Sequence, residues 1–269
     1  MFAPASLGSP RITITTRIER AEVELAARDG ALLCVQRTAR GHVVERLRRG
    51  ERLAPRVLHA GAGAVQACVL PTQAGPLSGD HDRVRIVVGA DATLVVRSIT
   101  ATLALPGEAR TRLDLEIDVG PEARLVLEEP LLIVAAGANV ERSTRVTLAG
   151  GAVAALRDIV VLGRTGEPGG RLVSTLRISD EDGVVLHDAL RLEPASSCQD
   201  AHVALAPGDR AAGTLCLLGA DADDEPRYAL ARGGALRRAT ACGLAELEAE
   251  LAQPWARWAR CVAPGAGAF

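Results

Sequence analysis

Ala74-Gly75-Pro76-Leu77-Ser78-Gly79-Asp80 and the following His81 and Asp82 concentrate the side chains best suited to chemistry. Two glycines four apart and a proline specify a tight turn whose backbone visits positive φ. Asp80 is held at its end, where a carboxylate can act as acid, base or cation ligand. The turn is not a nucleophile elbow: Gly75-Pro76-Leu77-Ser78-Gly79 misses the G-x-S-x-G spacing by one position, and a strand follows where the elbow needs a helix. A second candidate is Asp158, set among Leu156, Ile159, Val160 and Val161, where a charge is costly unless paired. Arg164 follows as a possible partner for Asp158 or for Glu167. His187 and Asp188 are adjacent and point to opposite faces of a strand, which argues against a shared site. None of His42, His59, His81, His187 or His202 forms the H-E-x-x-H pair of a metalloprotease. For each of these carboxylates, a satisfied ion pair competes with metal handling as the explanation.

Composition removes further classes. The 31 basic residues are all arginine, which excludes P-loop, Schiff-base and catalytic-lysine mechanisms. Aromatic residues make up 2% of the chain, too few for base- or sugar-stacking platforms. A formal charge of −2 gives no pull toward nucleic acid or an anionic membrane. The six cysteines include no C-x-x-C pair, so zinc and thioredoxin-like chemistry lack their spacing and the thiols read as small core residues. Met1 to Pro10 lacks the pattern of a signal peptide, and no apolar run reaches the length of a membrane span. A cytoplasmic protein is expected.

The elements that must position these residues are strands. From Asp82 onward apolar and polar residues alternate, as in Val84, Ile86 and Val88 and again in Leu113, Leu115, Ile117 and Val119. Similar strand–turn–strand units begin at Val88, Leu148 and, between them, Val119, with a looser fourth at Ile178; the period is close to 30. Such a repeat points to stacked coils, with a β-sandwich of consecutive hairpins as the alternative. Further strands are expected around Ile12 to Thr16, Val23 to Leu25 and Ala31 to Gln36. The arginines between Arg37 and Arg56 read as a solvated face or a protein-docking rim. Leu244, Leu247, Leu251, Trp255 and Trp258 follow helical spacing, and Pro254 predicts a kink or two short helices. The expected fold is mainly β: a flattened, β-helix-like stack of strands with one or two short C-terminal helices. It forms a single domain over residues 1–269, with loose ends at 1–10 and 263–269. No assembled active site emerges, so the chain is not expected to be an enzyme, and a binding or scaffolding role follows by elimination.

The order of the blocks resembles the urease accessory protein UreD/UreH family. Its Gly-rich turn ending in Asp corresponds to Gly75–Asp80. The strand ending in Arg-Ser and a Thr-rich step corresponds to Arg97-Ser98-Ile99-Thr100-Ala101-Thr102. The Pro-containing strand is Leu127-Glu128-Glu129-Pro130-Leu131-Leu132, and the last block is Asp158 to Gly163-Arg164, with Glu167 after it. Two departures stand out: Ser78 where the family has glycine, and Glu129-Pro130 where it has Pro-x-Pro. The resemblance implies a chaperone for urease metallocentre assembly that binds the urease apoprotein together with UreF-type and UreG-type partners. It also implies transient nickel passage through an internal tunnel without a tightly bound cofactor, and Asp80, Asp158 and Glu167 match the family's acidic positions. A purely structural β-solenoid that binds partners, or a β-helical hydrolase, are the rival readings.

Overall fold

The computed structural model describes residues 30–193, 205, 208–221 and 228–264. It is a β-solenoid of about four turns with a single C-terminal helix. Strands β1 (Ala31–Thr38) and β2 (Gly41–Arg48) form a hairpin, as do β3 (Leu53–Ala60) and β4 (Val65–Pro71). Then the coils begin. Strand β5 (His81–Val88) turns into β6 (Thr93–Val96) and β7 (Ala101–Ala104). Strand β8 (Thr111–Val119) turns into β9 (Arg124–Glu128) and β10 (Leu131–Val134). Strand β11 (Asn139–Leu148) turns into the uninterrupted β12 (Val153–Leu162), and β13 (Arg171–Asp180) closes back on β14 (Gly183–Leu192). The rest are β15 (Ala211–Leu218), β16 (Tyr228–Ala229), β17 (Gly234–Ala241) and helix α1 (Leu244–Val262).

Two sheets result. One has the order β14-β13-β11-β8-β5-β1-β2, the other β16-β17-β15-β12-β9-β6-β4-β3. Within each, the coil strands run parallel: His81 lies opposite Arg112, Thr111 opposite Val140, and Asn139 opposite Arg171. These steps match the period of about 30 in the sequence and decide for stacked coils over a sandwich of hairpins. The unit at Ile178 is the exception. It forms the antiparallel β13–β14 hairpin within one sheet instead of crossing to the other, and so ends the stack.

Alternation explains the layers. Ile86, Val88, Ile117, Val119, Val146 and Ile178 point inward from the first sheet and meet Leu94, Leu125, Leu127, Ala154 and Leu156 from the second. Each full burial of such an aliphatic side chain is worth roughly 1.5–3 kcal/mol. The outer face of the second sheet is apolar as well, with Val95, Val126, Ala155, Ile159 and Leu215 covered by Leu247, Leu251, Trp255 and Trp258 of α1. Of the two outcomes expected at Pro254, two short helices do not form: α1 is one helix that runs through it. The proline forgoes one backbone hydrogen bond, while buried side chains before and after it hold both halves against the same sheet. The tryptophans therefore pack against this chain's own sheet. No described helix is long and apolar enough to cross a membrane. The strands expected around Ile12 to Thr16 and Val23 to Leu25, and most of the predicted tail, lie outside the described residues.

A candidate site in a buried polar layer

The second sheet is broken at one level. Residues 97–100 separate β6 from β7, and residues 129–130 separate β9 from β10, while β12 passes the same level intact. Pro130, with no N–H to donate, suits such an interruption. At this level inward-facing positions are polar where their neighbours along the strand are aliphatic. Arg142 and Thr144 of β11 share the inward side of Val140 and Val146, and both are buried. Asp158 of β12 shares it with Leu156 and Val160.

These side chains meet. Arg142 grips Asp158 through both terminal nitrogens, one at 2.6 Å to Oδ1, and donates through Nε to Ser174 at 3.0 Å. Glu129 lies 3.8 Å from Arg142 Nη1, and Thr144 donates to it at 3.4 Å. Beyond them, Asp188 of β14 pairs with Arg238 of β17, whose Nε also donates to Thr214 at 3.2 Å. Two cavities flank the junction, one of about 120 Å³ reaching from the Gly75-Pro76 turn and one of about 30 Å³ reaching to Asp188 and Arg238. Glu129 and Arg142 line both. Glu129, Asp158 and Asp188 supply three carboxylates to two guanidiniums, Arg142 and Arg238, leaving one negative charge uncompensated when Glu129 is ionised.

Electrostatics single out that group. Burial pushes the Glu129 carboxyl up to about 7, with the negative charge of Asp158 adding to the effect and Arg142 only partly offsetting it. Burial works against the charge on Arg142, but Asp158 and Glu129 outweigh it and hold its pKa above the ordinary value. Burial also pushes the Cys216 thiol, on the wall of the smaller cavity, up to about 12.

Asp80 stands behind the far rim, which Arg52, Gly75, Pro76 and Asp82 line. Gly75 and Gly79 adopt positive φ, as the turn requires. Asp80 accepts from the backbone N–H of Leu77 at 2.7 Å and pairs with Arg52 at 2.6 Å. Arg52 also reaches Asp82 at 2.9 Å and lines the larger cavity. Burial raises the Asp82 pKa, with Arg52 pulling the other way. Ser78, standing where the resembled family has glycine, clips the next loop: its hydroxyl donates to Ala109 O and accepts from Ala109 N–H, both at 2.9 Å. Gly107 makes room for it, since a Cβ there would lie 2.2 Å from that of Ser78.

Glu167 sits elsewhere, in the surface loop after β12. Its carboxylate accepts from the side chain and backbone N–H of Arg164 and from Ala136 N–H. These bonds, the Arg164 side chain first, hold its pKa at about 2. Arg210 fixes the same loop by donating to the carbonyls of Leu162, Arg164 and Glu167. Of the three sequence candidates, then, Asp158 lies inside the polar layer, Asp80 pairs with Arg52 behind the wall of its larger cavity, and Glu167 lies on neither. Among the described residues no three His, Cys, Asp or Glu side chains cluster as a metal cage. Sequence reasoning missed Glu129, Arg142, Arg238 and the role of Asp188. It also counted Arg52 among surface arginines.

Comparison with known proteins places the sequence in one family. The profile described as UreD urease accessory protein matches residues 25–265. The chain is 38% identical over 181 residues to a urease accessory protein UreD of Frankia alni, spanning 55% of this chain and 61% of that protein. It is 37% identical over 178 residues to the UreD of Streptomyces avermitilis, covering 65% and 70% of the two chains. Against UreD 1 of Streptomyces griseus the identity is 32% over 239 residues, 86% of this chain and 91% of the relative. These relatives are named as accessory proteins.

Proposed function

Starting from a chain that belongs to the UreD urease accessory protein family, we propose that this protein assists nickel delivery to the urease apoprotein in complex with UreF-type and UreG-type partners. Nickel is cargo in this reading, carried past the buried polar layer and not stored there. The observation that carries it is the meeting of two cavities at Glu129 and Arg142, inside a solenoid whose core between the sheets is mainly aliphatic.

The chemistry suits passage. Ni²⁺ accepts carboxylate and water oxygens. A cage of several thiolates or imidazoles would trap it. Here Asp80, Asp158 and Asp188 each pair closely with a guanidinium and Glu129 lies 3.8 Å from Arg142, so a passing dication must compete with arginine at each step and is held weakly. Arg52 and Asp82 form the rim of the route, with Asp80 holding Arg52 from behind, while Glu129, Asp158 and Asp188 form its middle. Glu167 acts as the clasp of a neighbouring loop. No step of bond making or breaking is assigned to the chain, and its work is that of a chaperone.

The test is Asp80→Ala in an assembly reconstituted from urease apoprotein, the accessory partners and Ni²⁺. Arg52 keeps Asp82 as a partner, so the fold and the complex should survive while urease activation slows several-fold. Unchanged activation rates would refute the role of the rim. Failure of the wild-type chain to co-purify with a UreF-type protein would count against the wider reading.

A further inference from the structure

Glu128 and Arg157 lie directly opposite each other in the β9–β12 ladder, one residue before Glu129 and Asp158. Because strand side chains alternate, each dipeptide straddles the sheet. Glu129 and Asp158 face the interior layer, and Glu128 and Arg157 face the helix. What the helix does to the outer pair is therefore felt through one peptide bond by the inner pair.

The helix grips that outer pair. Trp255 donates its indole N–H to Glu128 Oε1 at 2.7 Å. Glu248 takes Arg157 Nη2 at 3.3 Å, and Arg157 Nη1 lies 3.8 Å from Glu128. The second oxygen of Glu128 accepts the backbone N–H of Ser98 at 3.4 Å, across the neighbouring break. A single carboxylate thus ties together the helix, the break at 97–100 and the break at 129–130. The Glu129 N–H is the last ladder bond before the break, to Arg157 O at 2.9 Å. Glu128 and Glu129 both line the larger cavity. A buried indole needs some hydrogen-bond acceptor, but a backbone carbonyl would serve that need without bridging both breaks.

We propose that Trp255 is a positioning residue: through Glu128 it holds the two breaks of the sheet together and sets the place of Glu129 in the polar layer. The C-terminal helix thereby controls the interior. Drawing α1 off the sheet, as a partner bound to it would do, withdraws the indole N–H and loosens the cavity wall. This assignment of control rests on the nickel-route reading, whereas the mechanical coupling stands on the hydrogen bonds alone.

The test measures amide hydrogen exchange by NMR on the full chain. Trp255→Phe keeps an aromatic ring in the same place and removes the indole N–H together with part of the ring, so the amides of β8 serve as the control for lost packing. It should speed exchange at Ser98 and Glu129 about tenfold, the scale of one hydrogen bond to a charged group, with the amides of β8 unchanged within about twofold. Equal acceleration in β8 would mean a packing role only and would overturn the proposal, as would no change at Ser98 and Glu129. Glu128→Gln keeps an acceptor for the indole but turns an amide NH₂ toward Ser98, so exchange should rise at Ser98 alone; an unmoved Ser98 would contradict the bridge. In the reconstituted assembly, Trp255→Phe should slow urease activation without loss of complex. Normal activation by Trp255→Phe beside slow activation by Glu129→Gln would overturn the control. Normal activation by both would sink the nickel route and leave the exchange result to decide the coupling.

Discussion

Glu129 and Glu167 each lie beside an arginine, yet the fold pulls their protons in opposite directions. Glu129 is enclosed between two sheets, shares Arg142 with Asp158, and is pushed up to about 7 by burial. Glu167 sits on a surface loop, has Arg164 to itself plus two backbone N–H donors, and is held at about 2. Location and partner count, not residue type, decide the outcome. A shared guanidinium in a buried interior leaves a carboxylate with unspent affinity for a proton or a cation, whereas an unshared one at the surface leaves little spare.

The contrast is broken most severely at Arg142. Arg142→Ala strands Asp158 and Glu129 without a counter-charge, and losing one partner of a buried pair costs about 3–5 kcal/mol. Denaturant unfolding would measure it. Next comes Glu129→Gln, whose effect depends on pH. Below the ordinary value of 4.5 the folded and unfolded chains both carry the proton. Between that and about 7 the unfolded chain releases it while the folded chain keeps it, so this group lowers stability as pH rises. Glutamine removes the penalty, and the variant should gain on the wild type between pH 5 and 8 by up to roughly 3 kcal/mol. Thermal melts across that range would show it. Glu167→Gln should cost the least of the three, because exposed pairs contribute little. Its sign is reversed: the wild-type advantage is present above 4.5 and disappears as pH falls toward 2. Faster exchange at the Ala136 and Arg164 amides would locate the loss in that loop.

Much of this was legible in the chain. Alternation and the period near 30 gave the coils, and Asp158 stood out because its neighbours are aliphatic. Arg142 did not, because Asn139 to Leu148 carries polar residues on both faces and looks like an ordinary half-exposed strand. Parity was the available signal: Arg142 and Thr144 fall in step with Val140, Val146 and Leu148, and Asp188 falls in step with Leu186, Leu190 and Leu192. A charge on the apolar parity of a strand marks an interior polar layer. Arg52 was hidden differently, inside a run of arginines of which it alone reaches Asp80 and Asp82. Glu167 shows the converse: it follows Asp158 closely in sequence, but the loop turns it toward Ala136 and Arg164. Which arginine serves which carboxylate depends on contacts between sheets, and no local pattern encodes those.

Urease activation by the Glu129→Gln protein tests the account most directly, because stability and function should then move apart. In the reconstituted assembly with apo-urease and Ni²⁺ at pH 7.5 or so, this variant should be at least as stable as the wild type and bind its partners equally, yet activate urease several-fold more slowly, while Glu167→Gln activates at close to the normal rate. Equal activation by the Glu129→Gln and wild-type chains would contradict the account, since the buried carboxylate that shares Arg142 with Asp158 would then have no part in moving the metal.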